Sequence, residues 1–402
     1  MRTLVRWAAV AALVSMLGFE SARAQSQRFA YVLAGQSNIE RLASITSIGC
    51  GSFGNHQSNV TYSAAVATPA SPGWPAGRFT RIVIPASTVA AWSPGAYLLG
   101  NILGAHHGIQ PVEVCMIARS GSSLLFRNRP AGFEAWVDER APSNPLALVR
   151  RMEPALAQLG LGAQDELHIV WGQGESDALS AQPTAVDEYS AWAHMTFAWL
   201  ALAAGKPTYA VHVVTVGAMN STLVPDAHAN AIRDALRTLP NSAFALPGLQ
   251  PSISVAAHHY DLSHADPVHL DACGSFELAR RIAQGILTPS ALPRVVSTAP
   301  TVLNASEMTF TTNVPLVPIA SSQSSNSLFE IFVDGLEIQP SDFKLDVTGT
   351  TILLRVSSAD LSTATEISVR YVPGSGLGRN WDVTPPIQSA ALQLPLEPFA
   401  LP

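Results

Sequence analysis

The sequence predicts an α/β protein, a parallel sheet with helices on both faces, followed by a small all-β sandwich. Three observations carry this. From about Phe29 to Thr288, short apolar runs alternate with helical patterns, as in chains built of βαβ units. Beyond Leu292-Pro293-Arg294 the period changes from helical to two. Ahead of both, Arg2 and Arg6 precede an apolar core from Trp7 to Phe19 and a small-x-small Ala22-Arg23-Ala24, the form of a cleaved secretory signal. The 402 residues therefore divide into a signal segment over 1–24, an α/β unit over 25–290 and a β-sandwich over 295–402.

In order along the α/β unit, the strand candidates are Phe29–Ala34, Val112–Ala118, Glu166–Gly172, Thr208–Gly217 and Ile253–His258. Helical patterns fall between or after them, at Ala96–His106, Leu146–Leu159, Val186–Ala204, Ala227–Thr238 and Asp271–Leu287. The last has Leu278, Ala279, Ile282, Ala283 and Ile286 on one apolar stripe. His106 and His107, just before Gly108, suit a helix C-terminus, where a cation is favoured by the dipole. In the β region Phe329, Ile331 and Val333 alternate with other residues ahead of an Asp334-Gly335 turn, and Ile367, Val369 and Tyr371 repeat the pattern. Tyr371 and Trp381 suit either packing or a sugar-stacking platform.

Composition narrows the partners. Apolar residues make up 48%, charged residues 13%, and the net charge is −6 without a basic cluster. That argues against nucleic acid and gives no attraction to anionic membranes. The signal's apolar run is short for a bilayer, and no later segment is apolar for long enough to cross one. The three cysteines are Cys50, Cys115 and Cys273. Cys115 lies in an apolar run and reads as core. Cys50 and Cys273 follow Ser37 and His269 in the chain, and a disulfide between them is compatible with export.

Four blocks carry chemistry. Gly35-Gln36-Ser37-Asn38 follows the first strand, placing Ser37 at a strand's C-terminal end, where open α/β sheets put their sites. Ser37 is a candidate nucleophile, or a helix N-cap. Ala118-Arg119-Ser120-Gly121-Ser122-Ser123 follows the second strand, where a backbone N–H at Gly121 could face an oxyanion. Trp171-Gly172-Gln173-Gly174-Glu175-Ser176-Asp177 follows the third. Its two carboxylates lie too close in sequence to flank a glycosidic bond; they suit holding the loop or lining the pocket. Asp266-Pro267-Val268-His269 places an acid three residues from a base, so that the carboxylate can orient the imidazole. His258, His259, Asp261, His264, Asp266 and His269 also form a dense group of potential ligands. They lack the His-x-x-x-His spacing of a hydrolytic zinc helix, so no metal or other cofactor is expected.

Gly35-Gln36-Ser37-Asn38 resembles the nucleophile block of the SGNH (GDSL-like) hydrolases. More narrowly it resembles the branch containing sialate O-acetylesterases and family 6 carbohydrate esterases, with Ile39 where that branch has Met and Arg41 where Gly is common. Gly121 matches the second glycine of the family's Gly-Gly-Thr block, with Ser120 in place of the first. Residues 171–177 match Trp-x-Gln-Gly-Glu-x-Asp at every fixed position. The resemblance implies a flavodoxin-like α/β/α sandwich hydrolysing short acyl esters, often acetyl groups on sugars, without a cofactor. It implies Ser37, Asp266 and His269 as the triad, and Ser37, Gly121 and Gln173 around the oxyanion. Gln36, Asn38 and Glu175 would then contact substrate. The C-terminal region resembles the Ig-like modules of exported bacterial enzymes.

The expected protein is thus a periplasmic or secreted serine esterase acting on a small-molecule or polysaccharide acyl ester. Two alternatives stand beside it. One is a polysaccharide O-acetyltransferase on the same scaffold. The other is a non-catalytic carbohydrate-binding surface protein, which would be expected to have lost part of the triad.

Overall fold

The computed structural model describes residues 26–44, 57, 59–67, 79–84, 94–141, 146–180, 184–216, 226–242, 248–262, 264–266, 268–317, 326–371, 387–392, 394–397 and 399–401. The expected signal segment, Cys50 and Trp381 lie outside these residues.

Strands β1 (Phe29–Gly35), β2 (Val60–Ala67), β3 (Phe79–Ile84) and β4 (Val112–Met116) belong to a seven-stranded sheet. A separate parallel pair follows, β5 (Ser123–Leu125) and β6 (Ala135–Val137). The large sheet resumes with β7 (Glu166–Gly172), β8 (Thr208–Thr215) and β9 (Gln250–His258), and its order is β3-β2-β4-β1-β7-β8-β9. All neighbours are parallel except β2 and β3. All five expected strands are present. Taken alone they run 2-1-3-4-5, the flavodoxin-like order, and the β2–β3 hairpin extends the β4 edge. The central strand β1 is buried on both faces, as its near-continuous apolar run requires.

Alternate residues of β1 feed two cores. Ala30, Val32 and Ala34 pack with α3 (Ala147–Ala157), α5 (Val186–Ala203) and α6 (Asp226–Thr238), which bury Met152, Phe197 and Ile232 among others. Phe29, Tyr31 and Leu33 pack with α1 (Ser37–Ser44), α2 (Pro94–His107) and α7 (Ala272–Leu287). A single turn, α4 (Glu175–Ala178), lies between β7 and α5. In α7 the expected stripe is buried at Leu278, Ala279, Ile282 and Ala283. Asp271 caps this helix, its Oδ1 accepting from the Gly274 N–H at 2.7 Å.

The C-terminal region holds two antiparallel four-stranded sheets. One is β10 (Thr301–Asn304), β11 (Glu307–Thr311), β15 (Thr351–Val356) and β14 (Phe343–Thr348). The other is β13 (Leu336–Ile338), β12 (Phe329–Val333), β16 (Ile367–Tyr371) and β17 (Phe399–Leu401). Both contribute to one core that includes Phe310, Ile331, Leu354 and Val369. Asp334 and Gly335 link β12 to β13 with φ of 49° and 78°, the left-handed pair of a two-residue hairpin. Tyr371 is fully buried and its hydroxyl accepts from the Ile387 N–H at 3.0 Å, so it packs the core and offers no sugar platform. Tyr260 joins the same core from the α/β side and donates to Leu396 O at 3.0 Å.

His107 corrects the expectation of a charged helix cap. It stacks on Phe29 at 3.6 Å, and its Nε2 lies 2.8 Å from the Tyr31 hydroxyl. Burial, with His106 and His168 nearby, lowers its pKa to about 4, so it is neutral at pH 7. Cys115 is buried and Cys273 is disulfide-bonded. Among the described residues no helix is long and apolar enough to cross a membrane.

Candidate active site

The site begins where β1 meets β7. Gly35 has φ +133°, and a Cβ there would lie 1.9 Å from Gly172 O, so the two chains touch in a way that only glycine permits. The Gln36 N–H then donates to Gly172 O at 2.9 Å, and Gln36 O accepts from the N–H groups of Ile39 and Glu40, both at 3.0 Å. These bonds turn the chain directly into α1 and put Ser37 at its first position, 4% exposed. This is the switch point of the sheet, with β4 on one side of β1 and β7 on the other.

The residue after Ser37 reaches the histidine loop. Asn38 Oδ1 accepts from the Leu270 N–H at 3.0 Å, and its Nδ2 donates to Val268 O at 3.2 Å and Glu175 Oε1 at 2.7 Å. Asn38 thus holds both neighbours of His269. Arg41 adds a bond from Nε to Leu270 O at 3.0 Å, and so braces this loop.

His269 Nδ1 lies 2.7 Å from Asp266 Oδ2 and 3.0 Å from Oδ1. Asp266 Oδ1 also accepts the N–H groups of Val268 at 2.9 Å and His269 at 2.8 Å. Desolvation pushes this carboxyl upward, but the backbone donors and His269 outweigh it and bring its pKa down to about 2. An ionised Asp266 on Nδ1 fixes the tautomer and leaves Nε2 as the basic nitrogen.

The turn after β4 closes the third side. Arg119 N–H donates to Gly35 O at 3.0 Å, Ser122 Oγ donates to the same carbonyl at 3.3 Å, and Glu40 accepts from the Ser120 N–H. Gly121 has φ +70° and a Cβ there would lie 2.1 Å from the Phe133 ring. Its carbonyl accepts from Ser176 Oγ at 3.3 Å.

Behind these loops lies a buried polar network. Asp177 is fully buried and accepts from Gln173 Nε2 at 2.6 Å, Leu124 N at 2.7 Å, Asn128 Nδ2 at 2.8 Å and Leu125 N at 3.2 Å. Tyr189 donates to Gln173 Oε1 at 2.6 Å. The amide of Gln173 is therefore oriented by an acceptor on its nitrogen and a donor on its oxygen. Its remaining contacts, Nε2 to Gln36 Oε1 and to Ser122 O, are long at 3.4 Å. Burial raises the Asp177 carboxyl against the pull of its donors, and raises Glu175 as well. Asn128 and Tyr189 escaped the sequence reading because nothing local separates them from loop and helix residues generally.

Gln36, Asn38 and Glu175, expected at the substrate, are only 2–3% exposed. Gln36 Oε1 accepts from Ser176 N at 3.2 Å, and Asn38 bonds Glu175 directly. In this arrangement they position Ser37 and His269 and present little surface to a ligand. The other four potential metal ligands have partners of their own: His258 Nε2 is 2.8 Å from Pro395 O, His259 Nε2 is 3.6 Å from Glu175 Oε1, Asp261 takes both Arg281 Nη1 and Nη2, and His264 Nδ1 is 2.7 Å from Leu262 O. Among the described residues no group of three or more acidic, histidine or cysteine side chains is arranged to hold a metal.

No protein-family profile matches the sequence, and no curated protein matches it. Solved structures do match the fold. A carbohydrate acetylesterase from Xanthomonas citri superposes with a TM-score of 0.59, covering 94% of this chain and 80% of its own at 12% identity. The chain has the fold of the SGNH-type hydrolases. A protein from Arabidopsis thaliana is similar over 65% of this chain and 98% of its own, at 13% identity and TM-score 0.42. NanS is similar over 66% and 98%, at 13% identity and TM-score 0.39. In this SGNH fold the loops after β1, β4 and β7 and the loop before α7 meet at one end of the sheet.

Proposed function

We propose that the chain is an exported serine esterase that removes short acyl groups, most simply acetyl, from carbohydrate. The observation that carries this reading is the Asn38 clamp. It ties the residue that follows Ser37 to both chain neighbours of His269, whose Nδ1 meets Asp266.

In the proposed reaction His269 Nε2 takes the Ser37 proton as Oγ attacks the ester carbonyl carbon. The oxyanion that forms is met by the Ser37 and Gly121 N–H groups and the Gln173 side-chain amide, at the positive end of α1. Collapse breaks the ester C–O bond, and protonated His269 gives its proton to the leaving alcohol. Water, deprotonated by His269, then attacks the acyl-enzyme and releases the acid and Ser37. Each preset donor of this kind contributes about 3 kcal/mol of barrier lowering. Gln173 is only 1% exposed and one N–H of its amide is held by Asp177, so the role requires its other N–H to leave the long 3.4 Å contacts with Gln36 Oε1 and Ser122 O for the oxyanion.

The test is hydrolysis of p-nitrophenyl acetate by wild type and Ser37→Ala side by side. The expected loss in the variant is on the order of 10⁴–10⁶-fold with an unchanged melting temperature. Equal rates in both would remove Ser37 as nucleophile and with it this reading.

A further inference from the structure

Among the described residues, Phe133 is the only exposed Phe, Tyr or Trp side chain, at 46%. It stands against Gly121, whose added Cβ would lie 2.1 Å from its Cδ1 and 2.3 Å from its Cε1. The ring therefore lies on the turn that packs against the end of β1, next to the nucleophile loop. An apolar ring so placed keeps contact with water that folding would ordinarily remove.

The backbone that carries the ring is hydrogen-bonded on both sides. Phe133 N–H donates to Pro130 O at 3.1 Å, and Phe133 O accepts from Arg129 Nη1 at 2.7 Å. On its other side, Ser123 N–H donates to Glu134 O at 3.2 Å. The Glu134 carboxylate pairs with Arg119 at 3.3 Å and with Arg151. The β5–β6 pair and the buried Trp136, whose Nε1 donates to Ser122 Oγ at 3.1 Å, fix the whole segment to the oxyanion turn. A half-exposed aromatic on a hydrogen-bonded mount has the form of a stacking platform.

We infer that Phe133 is a specificity residue that stacks on the pyranose ring of the alcohol half of the substrate. This rests on the esterase reading above. The openness of the ring assigns it to the alcohol side, since a wall of a short-acyl pocket would be enclosed. Sugar C–H groups on an aromatic face bury apolar area on both partners, and the fixed backbone means that little entropy is lost on binding.

The experiment uses the full chain with 6-O-acetylglucose and ethyl acetate, followed by titration of released acid. In Phe133→Ala the KM for the sugar ester should rise roughly tenfold with kcat held, while ethyl acetate turnover stays the same. Phe133→Trp should restore the KM, which loss of folding would not allow. In the Ser37→Ala background, calorimetric binding of 6-O-acetylglucose should weaken by the same factor on adding Phe133→Ala. That readout survives even if wild type proves inactive, so the two readings fail separately. An unchanged sugar KM or affinity would overturn the platform, as would an equal loss on ethyl acetate.

Discussion

His269 and the histidines at the other end of the sheet are chemically identical residues in opposite circumstances. The His269 side chain is 32% exposed and faces an ionised carboxylate 2.7 Å away. Across the lower half of the sheet, Glu166, His168, His212 and Ser254 form a hydrogen-bonded row, with contacts of 3.2 Å, 3.0 Å and 3.3 Å in turn. Burial, reinforced by His168, drives the pKa of His212 down to about 3, and burial lowers His168 despite the attraction of Glu166. His269 is oriented by its carboxylate partner, whereas His168 and His212 are kept neutral as polar packing. Partner and burial set the role of an imidazole, and residue type does not.

The sharpest way to break that contrast is to remove the partner of His269. Asp266→Asn should lower kcat by roughly 10²–10⁴-fold without altering the melting temperature by more than a few degrees. A near-normal kcat would take Asp266 out of the triad. The same residue should contribute little to acid stability. Its depressed pKa makes its contribution complete above the unfolded value near pH 4 and lost as pH falls through about 2, but its 45% exposure screens it.

A smaller effect is expected from loosening the clamp. Asn38→Ala removes the bonds to Leu270 N, Val268 O and Glu175 Oε1. It should reduce kcat on the order of 10²-fold by misplacing His269 and cost about 1–3 kcal/mol of stability. Wild-type kcat in this variant would show that the histidine loop is set by other contacts.

The smallest effect concerns the neutral row, and it appears only in stability. Groups with folded pKa values below the unfolded value leave stability unchanged above about pH 6.5. As pH falls below that, the unfolded chain binds protons that the folded chain does not, and stability declines toward pH 4. The urea midpoint should therefore drop between pH 7 and pH 4.5, and His212→Phe should flatten that slope while leaving activity intact. An equally steep slope in the variant would mean that His212 titrates normally.

Much of the scaffold was legible because it is written locally. The apolar run of β1, the stripe of α7 and the Asp334-Gly335 turn each follow from a period or a turn rule within a few residues. The β2–β3 hairpin was not legible: Val60–Ala67 and Phe79–Ile84 are short segments set in a stretch rich in Gly, Ser and Pro, which reads as loop. The histidine at the end of α2 was misread for a related reason. Its position on the helix suggested a cation, and only the packing of Phe29 and Tyr31 around it shows that it is buried.

The sequence by itself determined the order of the strands' chemistry: a serine after the first, a glycine turn after the next, Gln173 after β7 and an Asp-x-x-His ahead of the last helix. It could do so because each depends on backbone turns and spacings that neighbours in the chain dictate. Tertiary structure alone decided that Asn38 holds Leu270, 232 residues away, that Asp177 and Tyr189 orient Gln173, and that Phe133 lies open on Gly121. Contacts of that separation have no period in the sequence. They exist only after the sheet has closed the long loops between them and the buried polar groups have found partners in a medium without water to replace them.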